Sequence, residues 1–142
     1  MKNTEFDILI GKNIDKILID NDKTFIVFIC VNDKFIFCCS GDCCSESWIN
    51  HLNGLGNLIG NTIISIEDKE YSDVPGTRQE YDKSYVFTFK TNKGYFDLEM
   101  RNSSNGYYGG DIGYIEKWGG KPVNENSSLW VEHNFTELTE DF

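Results

Sequence analysis

Two pairs of apolar segments, each divided by a short polar turn, restrict this chain to a fold built from antiparallel strands. Residues 24–31 are apolar on both faces, and residues 35–40 return after an Asn-Asp turn. In residues 84–91 aromatic side chains alternate with smaller ones, and residues 95–100 follow an Asn-Lys-Gly turn. Such runs around short turns are typical of β-hairpins. The first hairpin is expected to contribute a central, covered strand.

Residues 45–53 predict one short helix between the hairpins. Trp48, Ile49 and Leu52 fall on one helical face together with Leu55, and Gly54 follows as a stop signal. Asp42 or Ser45 is a suitable capping residue at the start. The segment is therefore expected to pack one apolar helical face on the sheet.

The chain as a whole predicts an α+β fold, a mostly antiparallel β-sheet with hairpins and one or two short helices. Its 142 residues suffice for one domain with a hydrophobic core and are too few for two ordinary domains. Residues 1–142 are thus expected to form a single domain, with a sheet core at about 6–118 and a C-terminal segment at 119–142. Further strands are predicted at 7–19, with a bend at Gly11, at 61–67 and at 112–117, with a long polar loop at 72–82 and a closing segment at 129–138.

The two halves of the chain resemble each other in the order of their segments. Leu9-Ile10-Gly11 and Leu58-Ile59-Gly60 each precede a strand, a short turn, a return strand and a polar loop. A degenerate two-fold repeat would place two polar loops at equivalent ends of one sheet. Coincidence among common strand and turn residues is the alternative.

The formal net charge of −10 limits the partners that the chain can have. Binding to DNA without sequence preference, or to an anionic membrane, needs clustered Lys and Arg, so neither partner is expected. A small anion can still be bound where local donors outweigh the overall field. No apolar run approaches the length of a membrane span, and the odd number of cysteines, five, favours a reducing cytoplasm.

No enzymatic or metal-binding motif is found. Cys38-Cys39 and Cys43-Cys44 lack the two-residue spacing of a zinc knuckle, and neighbouring strand residues point to opposite faces. The spacing of His51 and His133 links neither residue to a thiol or a serine. The chain is therefore expected to be no enzyme and to hold no metal or cofactor.

The segment with the richest binding chemistry is 101–110, Arg-Asn-Ser-Ser-Asn-Gly-Tyr-Tyr-Gly-Gly. Its guanidinium suits a phosphate, its carboxamides suit base or ribose edges, its hydroxyls add hydrogen bonds, and its phenols suit stacking on a base. These groups together suit a small phosphorylated aromatic ligand. A plain polar turn is the alternative, because the same residues favour turns. The candidate ligand-binding residues here are Arg101, Asn102, Ser103, Asn105, Tyr107 and Tyr108.

Trp48 has two interpretations. Its place on the apolar face of the predicted helix indicates a core residue, since large aromatic side chains dominate cores. The alternative is a stacking platform beside the ligand-binding segment.

The segments 41–48 (Gly-Asp-Cys-Cys-Ser-Glu-Ser-Trp) and 101–110, with Leu-Ile-Gly before each half, are similar to the phage Thoeris anti-defence 1 family. The similarity runs from about residue 9 to residue 110. It implies a sponge that sequesters glycocyclic ADP-ribose, the signal made by a bacterial TIR-domain defence enzyme, and does not cleave it. The effector is then not activated. The resemblance also implies a homo-oligomer, a dimer or larger, acting in the host bacterial cytoplasm.

The residues agree with a ligand of this kind, which carries two phosphates, two riboses and an adenine. Tyr95, on the strand before the segment, joins Trp48 as a second candidate for stacking. Two other functions stay open: an enzyme that degrades a signalling nucleotide, and an inhibitor that binds a defence protein directly.

Overall fold

The computed structural model describes residues 4–31, 33–41, 45–76, 78–105, 109–115, 117–118, 121–122 and 134–142. A 3-10 helix (Glu5–Leu9) opens the described chain, and one short α-helix, α1 (Leu55–Leu58), lies near its middle. The strands within the described residues are β1 (Lys16–Ile19), β2 (Phe25–Ile29), β3 (Lys34–Gly41), β4 (Glu46–Asn53), β5 (Ile63–Pro75), β6 (Tyr81–Thr91), β7 (Tyr95–Ser104), β8 (Gly110–Ile115), β9 (Lys117–Trp118), β10 (Lys121–Pro122) and β11 (Thr136–Glu137).

The strands form two main antiparallel sheets that share one apolar core. The first sheet has the order β11-β1-β2-β3-β8 and the second has the order β4-β7-β6-β5, while β9 and β10 pair separately. Buried side chains from both sheets belong to one cluster, so the sheets pack face to face. The predicted mostly antiparallel sheet is confirmed, as are the hairpins β2–β3 and β6–β7.

Phe6 lies between the two sheets and contacts both. Its ring centroid is 4.5 Å from that of Phe37 and 5.9 Å from that of Phe28, both in the first sheet. It is 4.9 Å from the centroid of Phe87 and 5.2 Å from that of Phe89, both in the second sheet. Aromatic pairs at these separations add to the stability gained by burial. The Phe6 side chain therefore joins the inner faces of the sandwich.

The strand predicted at 7–19 is wrong over its first part. Phe6 and Leu9 are both fully buried, and three residues make one turn of a 3-10 helix, so the helix places both side chains on one side. Ile8 and Ile10, whose alternation suggested a strand, are exposed. The bend expected at Gly11 is present, with a φ of +87°.

The helix predicted at 45–53 is wrong, because this segment is strand β4. Its backbone pairs with β7 along its length, and the register shifts between Ile49 and His51. Such a bulge breaks the two-residue alternation, so Ile49 and Leu52 both face the core although they are three residues apart, while Trp48 is buried on the opposite face, where it pairs with Arg101. The bulged strand thus imitates a helical pattern. The helix that does form, α1, begins after Gly54.

The long loop predicted at 72–82 is shorter than expected. Strand β5 continues to Pro75 and β6 begins at Tyr81. The Arg101 end of the binding segment is likewise no loop, since Arg101, Asn102 and Ser103 belong to β7. Polar residues at the end of a strand show no apolar alternation. Their sequence is therefore hard to distinguish from that of a turn.

The C-terminal residues join the two sheets. Strand β11 pairs with β1 of the first sheet. Phe142 exchanges backbone hydrogen bonds of 2.8 and 3.1 Å with Leu52 of the second sheet. The Asp141 carboxylate accepts hydrogen bonds from the N–H groups of Gly54 (3.1 Å) and Leu55 (2.9 Å) at the start of α1. Phe135 packs edge-on against Phe25, on the other face of the first sheet, so β2 is covered on both faces as expected, while Val31 at the end of the predicted segment is exposed.

We expect Phe6→Ala to lower the free energy of unfolding by about 3–5 kcal/mol, because it removes a buried ring and leaves a cavity between the sheets. Urea unfolding followed by circular dichroism measures the loss. Tyr95→Ala, which truncates an aromatic side chain that is 57% exposed, is the matched control and should have a small effect. Equal losses in the two variants would contradict the role given to Phe6.

Candidate functional site

The inner face of the second sheet changes from apolar to polar at one end. Ile49, Met100 and Tyr85 form one row of paired residues across β4, β7 and β6. The next row consists of Ser47, Asn102 and Lys83, and it is called the polar row here. Directly paired side chains lie about 5 Å apart on one face. The chain therefore places a hydroxyl, a carboxamide and an ammonium side by side where the core ends.

Two paired glycines of the first sheet lie against the polar row. Gly41 and Gly110 are register partners in β3 and β8. A methyl group on Gly41 would lie 2.9 Å from the Asn102 Nδ2 atom. One on Gly110 would clash with the Ser47 hydroxyl and lie 2.7 Å from the carbonyl oxygen of Ser40. Only residues without a side chain allow this backbone to lie so close to the side chains of Ser47 and Asn102.

Asn102 is fully buried and only partly satisfied in its hydrogen bonds. Its Nδ2 group donates to the hydroxyls of Ser45 (3.1 Å) and Ser47 (2.8 Å). Its Oδ1 atom is buried and has no hydrogen-bond partner. A buried acceptor without a partner costs about 1–3 kcal/mol, so such an atom calls for an explanation. A bound ligand that donates a hydrogen bond would supply one.

A crevice of about 310 Å³ opens beside the glycine pair. Its walls are Ser40, Gly41, Gly109, Gly110 and Asp111. The Ser40 hydroxyl donates a hydrogen bond of 2.5 Å to Asp111 Oδ1, the carboxylate among the described wall residues.

Two side chains of β6 stand over Gly109 at the edge of the crevice. A methyl group on Gly109 would lie 3.0 Å from the Tyr85 hydroxyl and 3.8 Å from Lys83 Nζ. The Tyr85 hydroxyl accepts a hydrogen bond of 3.3 Å from the Gly110 N–H. Burial raises the pKa of Tyr85, and the nearby Glu70 carboxylate raises it further, so the phenol stays protonated.

Arg101 lies on the opposite face of β7 from Asn102. Its guanidinium binds Glu99 Oε2 at 2.8 Å and Asp82 Oδ2 at 3.0 Å, and 18% of its side chain is exposed. Burial opposes its charge, but the two carboxylates outweigh this effect and raise the pKa of Arg101. The phosphate-binding role of Arg101 stays a prediction, and its guanidinium is already held by two carboxylates.

Glu99 is the centre of this outer network. It accepts hydrogen bonds from Arg101, from Asn50 at 2.8 Å and from the Ser84 hydroxyl. Burial alone would raise the pKa of Glu99, but these hydrogen bonds outweigh it and lower the pKa below its ordinary value.

Trp48 is buried and pairs in register with Arg101. Its indole N–H donates to Asn50 at 3.1 Å, and the Arg78 guanidinium carbon lies 3.8 Å from its ring centroid. This cation–π contact fixes the β5–β6 connection over the outer face. The Gln79 N–H donates to the buried Ser103 hydroxyl at 2.8 Å in the same region. Trp48 and Ser103 thus belong to a packed outer network.

The remaining predicted residues are dispersed. Tyr95 lies at the start of β7, six residues from Arg101, which corresponds to about 20 Å along a strand. The structure therefore does not bring Tyr95 to the crevice. Asn105 is exposed just after β7 ends. Tyr107 and Tyr108 lie outside the described residues, as do Cys43 and Cys44.

Sequence reasoning missed Ser45, Ser47, Lys83 and Tyr85. The alternation of Lys83 and Tyr85 with the buried Phe87 of the same strand was the signal that could have identified the two β6 residues as inward-facing. The two serines were placed on a helix, which hid their pairing with Asn102.

Other chemistry is limited in the described part of the chain. Burial raises the pKa of the Cys39 thiol strongly and that of Cys38 to a smaller extent, so neither thiol is activated as a nucleophile. No group of three or more His, Cys, Asp or Glu side chains there is arranged to hold a metal ion. Each described helix is at most five residues long, and none could cross a bilayer.

Fold and site together define a two-sheet β-sandwich with a glycine-lined polar crevice at one end. A family model, DUF7448, described as a domain of unknown function, matches residues 7–113. The chain therefore belongs to the DUF7448 family. It is also similar to a mimivirus protein, Uncharacterized protein L278 of Acanthamoeba polyphaga mimivirus, with 39% identity over 83 residues. That match covers 55% of this chain and 66% of the mimivirus protein. No solved structure matches the chain.

We expect Gly110→Ala to lower the free energy of unfolding by about 1–3 kcal/mol, because the added methyl group overpacks the contact with Ser47 and Ser40. Gly113→Ala, in the same strand, is the matched control, since a methyl group there has no atom within 4 Å. Urea unfolding of both variants measures the difference. Equal stability of the two would contradict the close approach at Gly110.

The pH dependence of stability tests the Glu99 network. The folded-state pKa of Glu99 is lowered, so its stabilisation is present above the unfolded value of about 4.3 and is lost as the pH falls through the folded value. Wild-type protein should therefore lose stability in acid more steeply than Glu99→Gln. Urea midpoints over a pH series measure both slopes, with Glu140→Gln in the exposed tail as the control. Parallel curves for wild type and Glu99→Gln would contradict the assignment.

Proposed function

We propose that this protein binds a cyclic ADP-ribose-type nucleotide, glycocyclic ADP-ribose, and retains it without cleaving it. A TIR-domain Thoeris defence enzyme makes this signal, and its capture leaves the effector inactive. The observation that carries the proposal is the buried, unpartnered Oδ1 atom of Asn102 in a polar row beside a glycine-lined crevice. A ligand hydroxyl or amino group that donates to this atom would satisfy it.

The chemistry of the crevice supports a ligand with phosphates and riboses. Ser40 on the crevice wall offers a hydroxyl, the polar row beside the wall adds hydroxyl, amide and ammonium groups, and the glycines let a ligand approach the backbone. The volume of about 310 Å³ is at the small end for ligand sites, so part of such a nucleotide would extend beyond it. Self-association, as a dimer or larger, would let a second copy cover that part.

Retention is favoured over cleavage by the kinds of groups that meet here. Among the described wall residues, Asp111 accepts a hydrogen bond from Ser40 and the rest are glycines, and the phenol of the neighbouring Tyr85 is protonated. These groups bind and orient, and a rigid site of this kind gains affinity because little ordering is needed on binding. The proposed setting is the host bacterial cytoplasm during phage infection. Similarity to a mimivirus protein supports a viral origin.

We also propose that the chain contains a degenerate two-fold repeat. Each half has a short helical segment, three consecutive strands and a fourth strand that joins the other sheet, and this order supports the repeat. Gly11 and Gly60 both have positive φ values, +87° and +78°, at matching points of the two halves. The polar row lies between the two connections, β3–β4 and β7–β8, that the repeat would relate.

Recovery of the bound molecule tests the proposed function. Purified protein is mixed with glycocyclic ADP-ribose, freed of excess ligand by filtration, denatured by heat and filtered again. We expect mass spectrometry of the filtrate to show the intact nucleotide in near-stoichiometric amount. Protein that is unfolded before mixing is the control.

Fragments of the nucleotide in the filtrate would identify an enzyme and reject the sponge. An absence of nucleotide would reject binding altogether and favour the alternative of a direct inhibitor of a defence protein.

A further inference from the structure

We propose that Lys83 and the backbone at Gly109 and Gly110 form a phosphate subsite of the crevice, and that it takes the diphosphate of the bound nucleotide. The inference rests on the proposed function, and it moves the main phosphate contact from Arg101 to Lys83. The sequence pattern singled out the 101–110 segment, but the cation that the fold brings to its glycines comes from β6.

The position of Lys83 is set by strand pairing. It is the register partner of Asn102, at the end of the polar row, and it is half-buried. Its Cδ atom and its Nζ atom lie 4.0 and 3.8 Å from the point where a methyl group on Gly109 would stand. The ammonium thus stands over backbone that carries no side chain, and an anion on that backbone would be within its reach.

The charge of Lys83 is available to a ligand. Among the described residues no hydrogen bond or ion pair engages its ammonium group. Partial burial strengthens its attraction to an anion, because the effective dielectric constant is lower than in water. Asp111, a carboxylate among the described wall residues, accepts a hydrogen bond from Ser40.

The chain's two arginines are engaged elsewhere. Arg101 is held by Glu99 and Asp82 on the outer face of β7, and Arg78 stacks on Trp48. Recruiting Arg101 to a phosphate would uncover two carboxylates, one of them fully buried, which is unfavourable. Lys83 can contact an anion without giving up a hydrogen bond or ion pair to another described residue.

The geometry also favours a phosphate ligand over a ligand whose carboxylate is attached to a bulky group. Gly109 and Gly110 leave room for a tetrahedral anion to contact the backbone directly, as in other glycine-lined phosphate sites. The Gly110 N–H already donates to the Tyr85 hydroxyl, and this phenol is hydrogen-bonded to Glu70, so neither group contacts the anion without changing its partner. The subsite therefore offers the Lys83 ammonium above glycine backbone that carries no side chain.

The test compares Lys83→Met with Lys90→Met. Lys90 is on the same strand, is exposed, and lies near the other end of the sheet, so its loss removes the same charge without touching the crevice. Calorimetry with glycocyclic ADP-ribose should show affinity reduced about 10- to 100-fold in Lys83→Met, as expected for losing hydrogen bonds to a charged group. Lys90→Met should bind like the wild type, and Lys83→Arg should retain most of the affinity.

Two further measurements make each outcome decisive. The Kd of the wild type should rise more steeply with salt than that of Lys83→Met, because one cation–phosphate contact is missing in the variant. Circular dichroism and urea unfolding establish that Lys83→Met is folded, with Lys83→Gln as the second variant if it is not. Wild-type affinity and an unchanged salt dependence in a folded Lys83 variant would overturn the subsite and leave the proposed function intact.

Inorganic pyrophosphate tests the phosphate subsite independently of which nucleotide the protein binds. If the wild type binds no glycocyclic ADP-ribose, the proposed function fails. Broadening of the pyrophosphate ³¹P resonance by the wild type and not by Lys83→Met would then still support the anion subsite. No effect of the wild type on either probe would overturn both.

Discussion

The packing of Phe6 between the two sheets is the interaction on which the rest of the structure depends. One ring contacts two phenylalanines in each sheet, and the resulting cluster joins inner faces that come from distant parts of the chain. The 3-10 helix carries this ring into the core that the two sheets share, where Phe28 and Phe89 also stack directly on each other across the sheets. The C-terminal residues reinforce the same arrangement by pairing with β1 in one sheet and with Leu52 in the other.

The candidate site lies at the end of this core, where the chain crosses between the two sheets. The chain passes from the first sheet to the second between β3 and β4, and back between β7 and β8. These crossings bring Gly41 and Gly110 against Asn102, at a separation that no side chain would allow. The crevice is therefore a result of sheet topology, and its polar groups occupy the place where another apolar row would otherwise lie.

The segment that the sequence presented as one site is split between the two faces of β7, because neighbouring residues of a strand point to opposite faces. Asn102 faces the crevice side of the sheet, while Arg101 and Ser103 face outward, into a network with Glu99 and Gln79. The outward groups hold the β5–β6 connection in place, together with the stack of Arg78 on Trp48. The inward groups leave one acceptor and one ammonium without a partner in the described part of the protein. The two faces of β7 thus differ in role.

The sequence by itself determined the antiparallel hairpins and the covered strand β2, because apolar alternation and turn residues act over a few neighbouring positions. It also identified Asn102 as a binding candidate from side-chain chemistry. Only the tertiary structure decided that residues 46–53 form a bulged strand, and that Lys83, Ser47 and two glycines meet Asn102. These outcomes depend on pairing between residues far apart in the chain, and local patterns carry no information about which strand lies opposite or which face is covered.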